Sequence, residues 1–193
     1  MGCGAYSTQR SEEVQISAFL TNRQVDLVKH SWDLVKDEME ETGLRIYSRF
    51  LDNEKDLRRY FPKILQNNSK DLEKWEVNEA MLKNHALIVM EGLGAAVESI
   101  EDSTCLHAIL LSVGEKHYQM RIRPQYLERL WPAIDFGLKE VLQDVYTREV
   151  KDAWKQIFMY IITKMKEGMS RARLMDRELS KSHSEEYSHI SAR

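Results

Sequence analysis

The chain holds only two cysteines, three prolines and eight glycines among 193 residues, and each shortage excludes something. Cys3 lies in the N-terminal arm and Cys105 far along the chain, so a stapled extracellular framework is excluded. There is no CxxC or HxxxH pair to begin a zinc site. With so few prolines and glycines, the turns that punctuate a β protein are missing, and long periodic runs point to an all-α fold. No apolar stretch approaches the roughly 20 residues of a membrane-spanning helix, and no secretory signal is visible. An intracellular location is the expectation. A formal net charge of −3, without a basic stripe interleaved with aromatics, argues against nucleic acid as a partner. The 42% hydrophobic and 31% charged content suits one soluble domain with tails.

What is present is helical periodicity. Residues 1–20 form a mostly polar arm whose last residues, Ala18, Phe19 and Leu20, are apolar. Thr21 with Gln24 makes a capping-box pattern, followed by Val25, Val28, Trp32 and Val35 on one face. A second helix carries Leu44, Ile46, Tyr47, Phe50 and Leu51, with Gly43 inside it. A mid-helix glycine costs about 1 kcal/mol relative to alanine, so another helix is expected to cross closely there. Asp56–Phe61 reads as a short helix stopped by Pro62, and residues 63–76 as a loop. Pro124 opens a helix through Leu138 that Pro132 is expected to kink. Thr147 caps a last helix with the face Val150, Trp154, Ile157, Phe158, Ile161 and Met165. These boundaries divide the chain into an arm at 1–20, a domain at 21–169 and a polar tail at 170–193 that reads as disordered.

Between these elements stand two histidines, His85 and His117, each on the apolar face of its own helix. A helix from His85 to about Ile100 would span roughly 22 Å, and a return helix from Cys105 to Tyr118 roughly the same distance less one turn. Such a hairpin brings the two imidazoles face to face. Either histidine alone is compatible with a satisfied core residue, whereas the pair at a folding spacing makes metal ligation an equal reading. Neutral imidazole is a common iron ligand, and haem iron takes one or two axial ligands. His107 and Cys105 sit about 15 Å along the helix from His117, too far to share a metal with it. Zinc is therefore disfavoured.

The landmarks Trp32, Tyr60-Phe61-Pro62, His85 with Val89 one turn on, and Val113-Gly114-Glu115-Lys116-His117 resemble the globin family over residues 22–168. The order and separation of these short motifs carry the likeness. The resemblance implies a globin fold of seven to eight helices around haem b, with His117 as proximal iron ligand and His85 as distal histidine. It implies that Phe61 wedges against the haem, that Val89 lies over the distal face, and that Tyr47 points into the distal pocket. Leu110, Val113 and Ile122 are further wall candidates, equally compatible with plain core packing. No CxxCH motif exists to attach the haem covalently. The Leu111-to-His117 run and the tails at both ends make the chain look closer to neuroglobin and globin X than to haemoglobin or myoglobin. In those relatives the distal histidine itself binds iron, so the resemblance implies a bis-histidyl pair that external ligands must open. A disulfide switch within the core is excluded, because Cys105 has no core partner.

Gly2 followed by Cys3 permits myristoylation and palmitoylation, the two anchors that stable membrane attachment needs. Tyr6 occupies the position that favours Ser or Thr, with Ser7 one place late. The expected place is the cytoplasmic face of the plasma membrane, or otherwise the cytosol. Three functions remain open on the sequence. The first is reversible binding of dioxygen, carbon monoxide and nitric oxide. The second is redox work, such as nitrite reduction or electron transfer with a reductase. The third is a helical interaction or sensor domain, which histidine at both axial positions disfavours.

Overall fold

The computed structural model describes residues 20–66, 75–102 and 104–191, with side chains through Lys181. Gly2 and Cys3 lie outside the described residues. Helix α1 (Asn22–Val35) begins at the predicted capping box. The Thr21 N–H donates to Gln24 Oε1 at 2.9 Å, and the Gln24 N–H donates to the Thr21 hydroxyl at 3.3 Å. Two otherwise orphaned donors are thereby satisfied. A single 3₁₀ turn (Lys36–Glu38) leads into α2 (Met39–Asn53). The short helix before Pro62 is 3₁₀ in character, Lys55–Tyr60.

The stretch read as a loop at 63–76 contributes a two-residue ladder. Strand β1 (Leu65–Gln66) pairs antiparallel with β2 (Glu76–Val77), placing Leu65 opposite Val77. Helix α3 (Glu79–Glu98) starts ahead of His85 because Asn78 caps it, its side chain accepting the Met81 N–H at 3.1 Å. Helix α4 (Thr104–Gln119) returns as predicted and carries His117. The segment opened by Pro124 is not one kinked helix. It divides into α5 (Pro124–Leu127), a 3₁₀ turn (Glu128–Leu130) and α6 (Trp131–Leu142). Pro132 sits in the first turn of α6, where a missing N–H costs nothing.

Helix α7 (Arg148–Ser191) corrects the reading of the C-terminus. It crosses the expected boundary at 169–170 without interruption, so the tail predicted to be disordered from 170 is helical to Ser191. No proline follows Gly168, and good helix formers dominate the extension. Arg171 also pairs with Glu167 one turn back at 2.5 Å. No helix of the described residues is long and apolar enough to cross a membrane.

The core gathers around α1, α2, α3, α6 and α7. Trp32 and Trp154 pack with ring centroids 6.0 Å apart. The indole N–H of Trp154 donates to the Ser31 hydroxyl at 2.9 Å, which in turn donates to the Val28 carbonyl at 3.0 Å. A buried polar pair is thus fully satisfied, as burial requires. Gly43 has the close neighbour its position predicted. A Cβ there would lie 2.9 Å from Met90 Cγ and 3.1 Å from the Ala86 carbonyl oxygen. Helices α2 and α3 therefore cross nearly backbone to backbone. That contact positions the site, because Tyr47 lies one turn beyond Gly43 and His85 lies beside Ala86.

Candidate functional site

From the α2–α3 crossing, Tyr47 and His85 approach edge to face, with ring centroids 4.8 Å apart. Phe61 enters from the irregular stretch after the 3₁₀ helix and stands 5.6 Å from His85 and 6.3 Å from Tyr47. Phe50 closes the group at 6.1 Å from both Tyr47 and Phe61. Four rings in perpendicular contact hold one another in orientation. Phe50 was legible in the sequence only as a core residue. Its spacing of three from Tyr47 puts it on the same helix face, a signal that does not by itself separate a site residue from a core one.

Tyr47 is buried, and burial pushes its phenol well above the ordinary range, so it stays protonated. Val89 is half-buried one turn beyond His85, and Leu110 is buried on α4 with Val113 beside it, half-buried. Ile122 is half-buried and tied to the opposite histidine. Its N–H donates to the His117 carbonyl at 3.1 Å, while the Arg121 N–H donates to the Tyr118 carbonyl at 2.8 Å. Arg121 takes a left-handed φ of 59°, the backbone turn that closes a helix with this pair of bonds. The turn swings Ile122 back beside the last turn of α4.

On His117 the Nδ1–H donates to the Val113 carbonyl at 2.7 Å. With the proton held on Nδ1, the lone pair resides on Nε2, the nitrogen a metal would take. Burial lowers the pKa of His117, and the Val113 carbonyl opposes that shift in part. Burial likewise lowers the pKa of His85, and the proximity of His117 lowers it further, since two cations disfavour one another. The two imidazoles are therefore close enough to interact and both favour the neutral, ligating form.

Among the described residues, no group of three or more His, Cys, Asp or Glu could hold a metal ion. His107 instead approaches Glu167 at 3.8 Å, and Cys105 is exposed. Two half-buried imidazoles that both favour the neutral form, His85 among aromatic rings, suit an iron that brings its other four ligands in a flat macrocycle.

The globin family model matches residues 44–165, from α2 into α7. The chain belongs to the globin family. It is 27% identical to cytoglobin-2 of Danio rerio over 139 residues, covering 72% of this chain and 76% of that protein. It is 22% identical to neuroglobin of Tetraodon nigroviridis over 153 residues, covering 79% of this chain and 94% of that one. A hexacoordinated haem protein from an anhydrobiotic tardigrade, solved at pH 4, shares the fold with a TM-score of 0.68 at 23% identity. That likeness covers 78% of this chain and 96% of the tardigrade chain. Membership implies a haem cofactor and diatomic gases as ligands for this globin. The donor set fits the cofactor, since His117 offers an unprotonated Nε2 and His85 is a second neutral imidazole within electrostatic reach of it.

Proposed function

We propose that this globin holds haem b between α3 and α4, with His117 and His85 both ligating the iron until an external ligand displaces His85. The observation that supports this reading is the Nδ1–H of His117 on the Val113 carbonyl, with a second neutral imidazole, His85, close enough to feel its charge. When bound, the haem supplies an iron that takes dioxygen, carbon monoxide or nitric oxide and passes between ferric and ferrous states. The protein residues do the rest. Phe61, Val89 and Ile122 wall the slot and exclude water, and His117 anchors the metal from one side.

His85 would hold the metal as well, which sets a competition. A gas must wait for the fraction of molecules in which His85 has moved away, so apparent affinity is the intrinsic affinity reduced by that fraction. Tyr47, kept protonated by burial, offers a neutral hydroxyl near the distal side, where a polar donor stabilises a bound ligand. Electron exchange with a reductase requires no displacement of His85, so a redox or protective role is compatible with the closed form. Nitrite reduction would need the open form, and because His85 favours the neutral state the proton would come from solvent. For location, the adjacent Gly2 and Cys3 support double lipid attachment at the cytoplasmic face of the plasma membrane.

The test is the absorption spectrum of haem-loaded protein in both oxidation states, for wild type and His85→Leu. Wild type should show a six-coordinate, low-spin spectrum without added ligand. His85→Leu should become five-coordinate when ferrous and bind carbon monoxide faster. Identical spectra and kinetics for the two would remove His85 from the iron.

A further inference from the structure

Helix α7 runs on to Ser191, well past Met169, the last of its described residues that is buried. Beyond Met169, three large apolar side chains stand in water: Leu174 at 57% exposure, Met175 at 62% and Leu179 at 59%. They are the most exposed large apolar residues among those described. Single apolar residues scattered over a surface need no explanation, whereas a contiguous group of them marks a contact.

The charges around this group are ordered. Arg171 and Glu178 are two turns apart and lie within about 20° of each other around the helix axis. Leu174 and Met175 come between them, one on either side of the line that joins them. The midpoint of Arg171 and Glu178 is therefore also the midpoint of Leu174 and Met175. A second α7 laid antiparallel about that point sets Arg171 against Glu178 twice, with the apolar side chains between the two ion pairs. Glu167 comes within one residue of standing opposite Lys181 in the same register. Glu178 has no ion-pair partner among the described residues. Arg171 pairs with Glu167 on its own helix at 2.5 Å, and a guanidinium with five donors can take a second carboxylate.

We propose that this face of α7 is an interface with a second copy of the chain, the two extensions pairing antiparallel about a two-fold axis between Leu174 and Met175. An isologous contact requires such self-complementarity, since each patch must fit its own copy. Pairing also covers the apolar side chains of a segment that has no core beneath it. A lipid surface is the other occupant that exposed leucine and methionine suit. It fits worse, because Glu178 sits amid the apolar side chains, where an anionic bilayer repels it. The contact spans only about three helical turns per chain, less than the ~1,200 Å² of a stable complex, so the dimer is weak. Nothing in the pairing depends on haem.

The test is sedimentation velocity of the full chain from about 5 to 500 μM, the range a small interface demands. Wild type should pass from monomer to dimer across it. Glu178→Arg or Arg171→Glu alone should raise the dissociation constant about tenfold, since two exposed attractions become two repulsions. In a parallel pairing identical residues would face each other, and neither single variant would be weaker than wild type. Replacing Leu174→Ser and Met175→Ser together should weaken association at least as much. The variant carrying both charge reversals should return to wild-type association. An equimolar mixture of the two single-charge variants should do so too, because each then meets its opposite. A substitution that merely unravels the helix would fail in the mixture as well, so recovery there is specific. Monomer at every concentration would overturn the pairing. So would a dimer indifferent to all these substitutions, or one lost in the single-charge variants and not recovered in the mixture. Binding to phosphatidylserine vesicles that the two serines abolish, with no dimer in solution, would assign the face to lipid instead.

Discussion

His117 and Val113 are joined by a hydrogen bond of 2.7 Å from imidazole Nδ1–H to backbone carbonyl, one helical turn apart. The bond fixes which ring nitrogen is free, and it is built from local helix geometry, so any histidine at this position with this rotamer would make it. The consequence concerns the ring itself. His117→Ala should lower haem affinity by more than about a hundredfold, since loss of a ligand's outer-shell partner alone typically costs 10- to 100-fold. Added imidazole should restore part of the low-spin spectrum. Titration of the haem-free variant with hemin checks this, and undiminished affinity would reassign the proximal ligand.

The two histidines also give the haem-free protein a definite pH dependence. Burial depresses both pKa values in the folded state, so the unfolded chain binds more protons wherever these groups titrate. Stability should be complete above the ordinary histidine value near 6.5 and fall as pH drops through the depressed folded values. Denaturant midpoints from pH 7.5 to 5 should decline, and the decline should be shallower in the His85→Leu, His117→Leu double variant. Equal slopes for the two proteins would show that other groups govern acid sensitivity.

Gly43→Ala tests the helix crossing that places Tyr47 against His85. The added methyl would meet Met90 Cγ at 2.9 Å and the Ala86 carbonyl oxygen at 3.1 Å. Overpacking of this kind costs about 1–3 kcal/mol, against a gain of about 1 kcal/mol in helix propensity. Net destabilisation of roughly 1 kcal/mol is expected in chemical denaturation. Because α3 must shift, carbon monoxide binding kinetics should change as well. A variant as stable as wild type with unaltered kinetics would show that α3 has slack at this point.

The proposed membrane attachment rests on two residues of the arm, Gly2 and Cys3. Gly2→Ala should move the protein to the soluble fraction of animal cells, and Cys3→Ser should leave it weakly and reversibly bound, since one acyl chain holds only marginally. Haem spectra should stay the same in both. A wild-type protein found wholly in the soluble fraction would make the arm an ordinary tail.

Of the site, the parts legible in the sequence were those that depend on one side chain and its spacing. His85, Val89 and His117 announce themselves by lying on apolar helix faces at a separation that folds back. Phe61 enters through the resemblance to the globin family, on the Tyr60-Phe61-Pro62 landmark. What stayed hidden belongs to the backbone or to a second element. The Val113 carbonyl that orients His117 has no side-chain signature. The ring of Phe50 joins the site only because α2 and the stretch after the 3₁₀ helix converge. The turn at Arg121 is disguised, because the left-handed position that glycine usually fills is held by an arginine.

The sequence by itself determined the all-α class, the caps at Thr21 and Thr147, and the histidine pair. The reason is that helical periodicity and capping are local, written in residues three or four apart. The tertiary structure decided the fate of the C-terminal segment. Its polarity reads as disorder, because it has too little apolar surface to fold for its own sake. Gly168 instead meets the backbone of α4, and contacts between residues more than fifty apart leave no trace in local composition. It likewise decided that α2 and α3 meet at Gly43, where the absence of a side chain matters only once another backbone arrives.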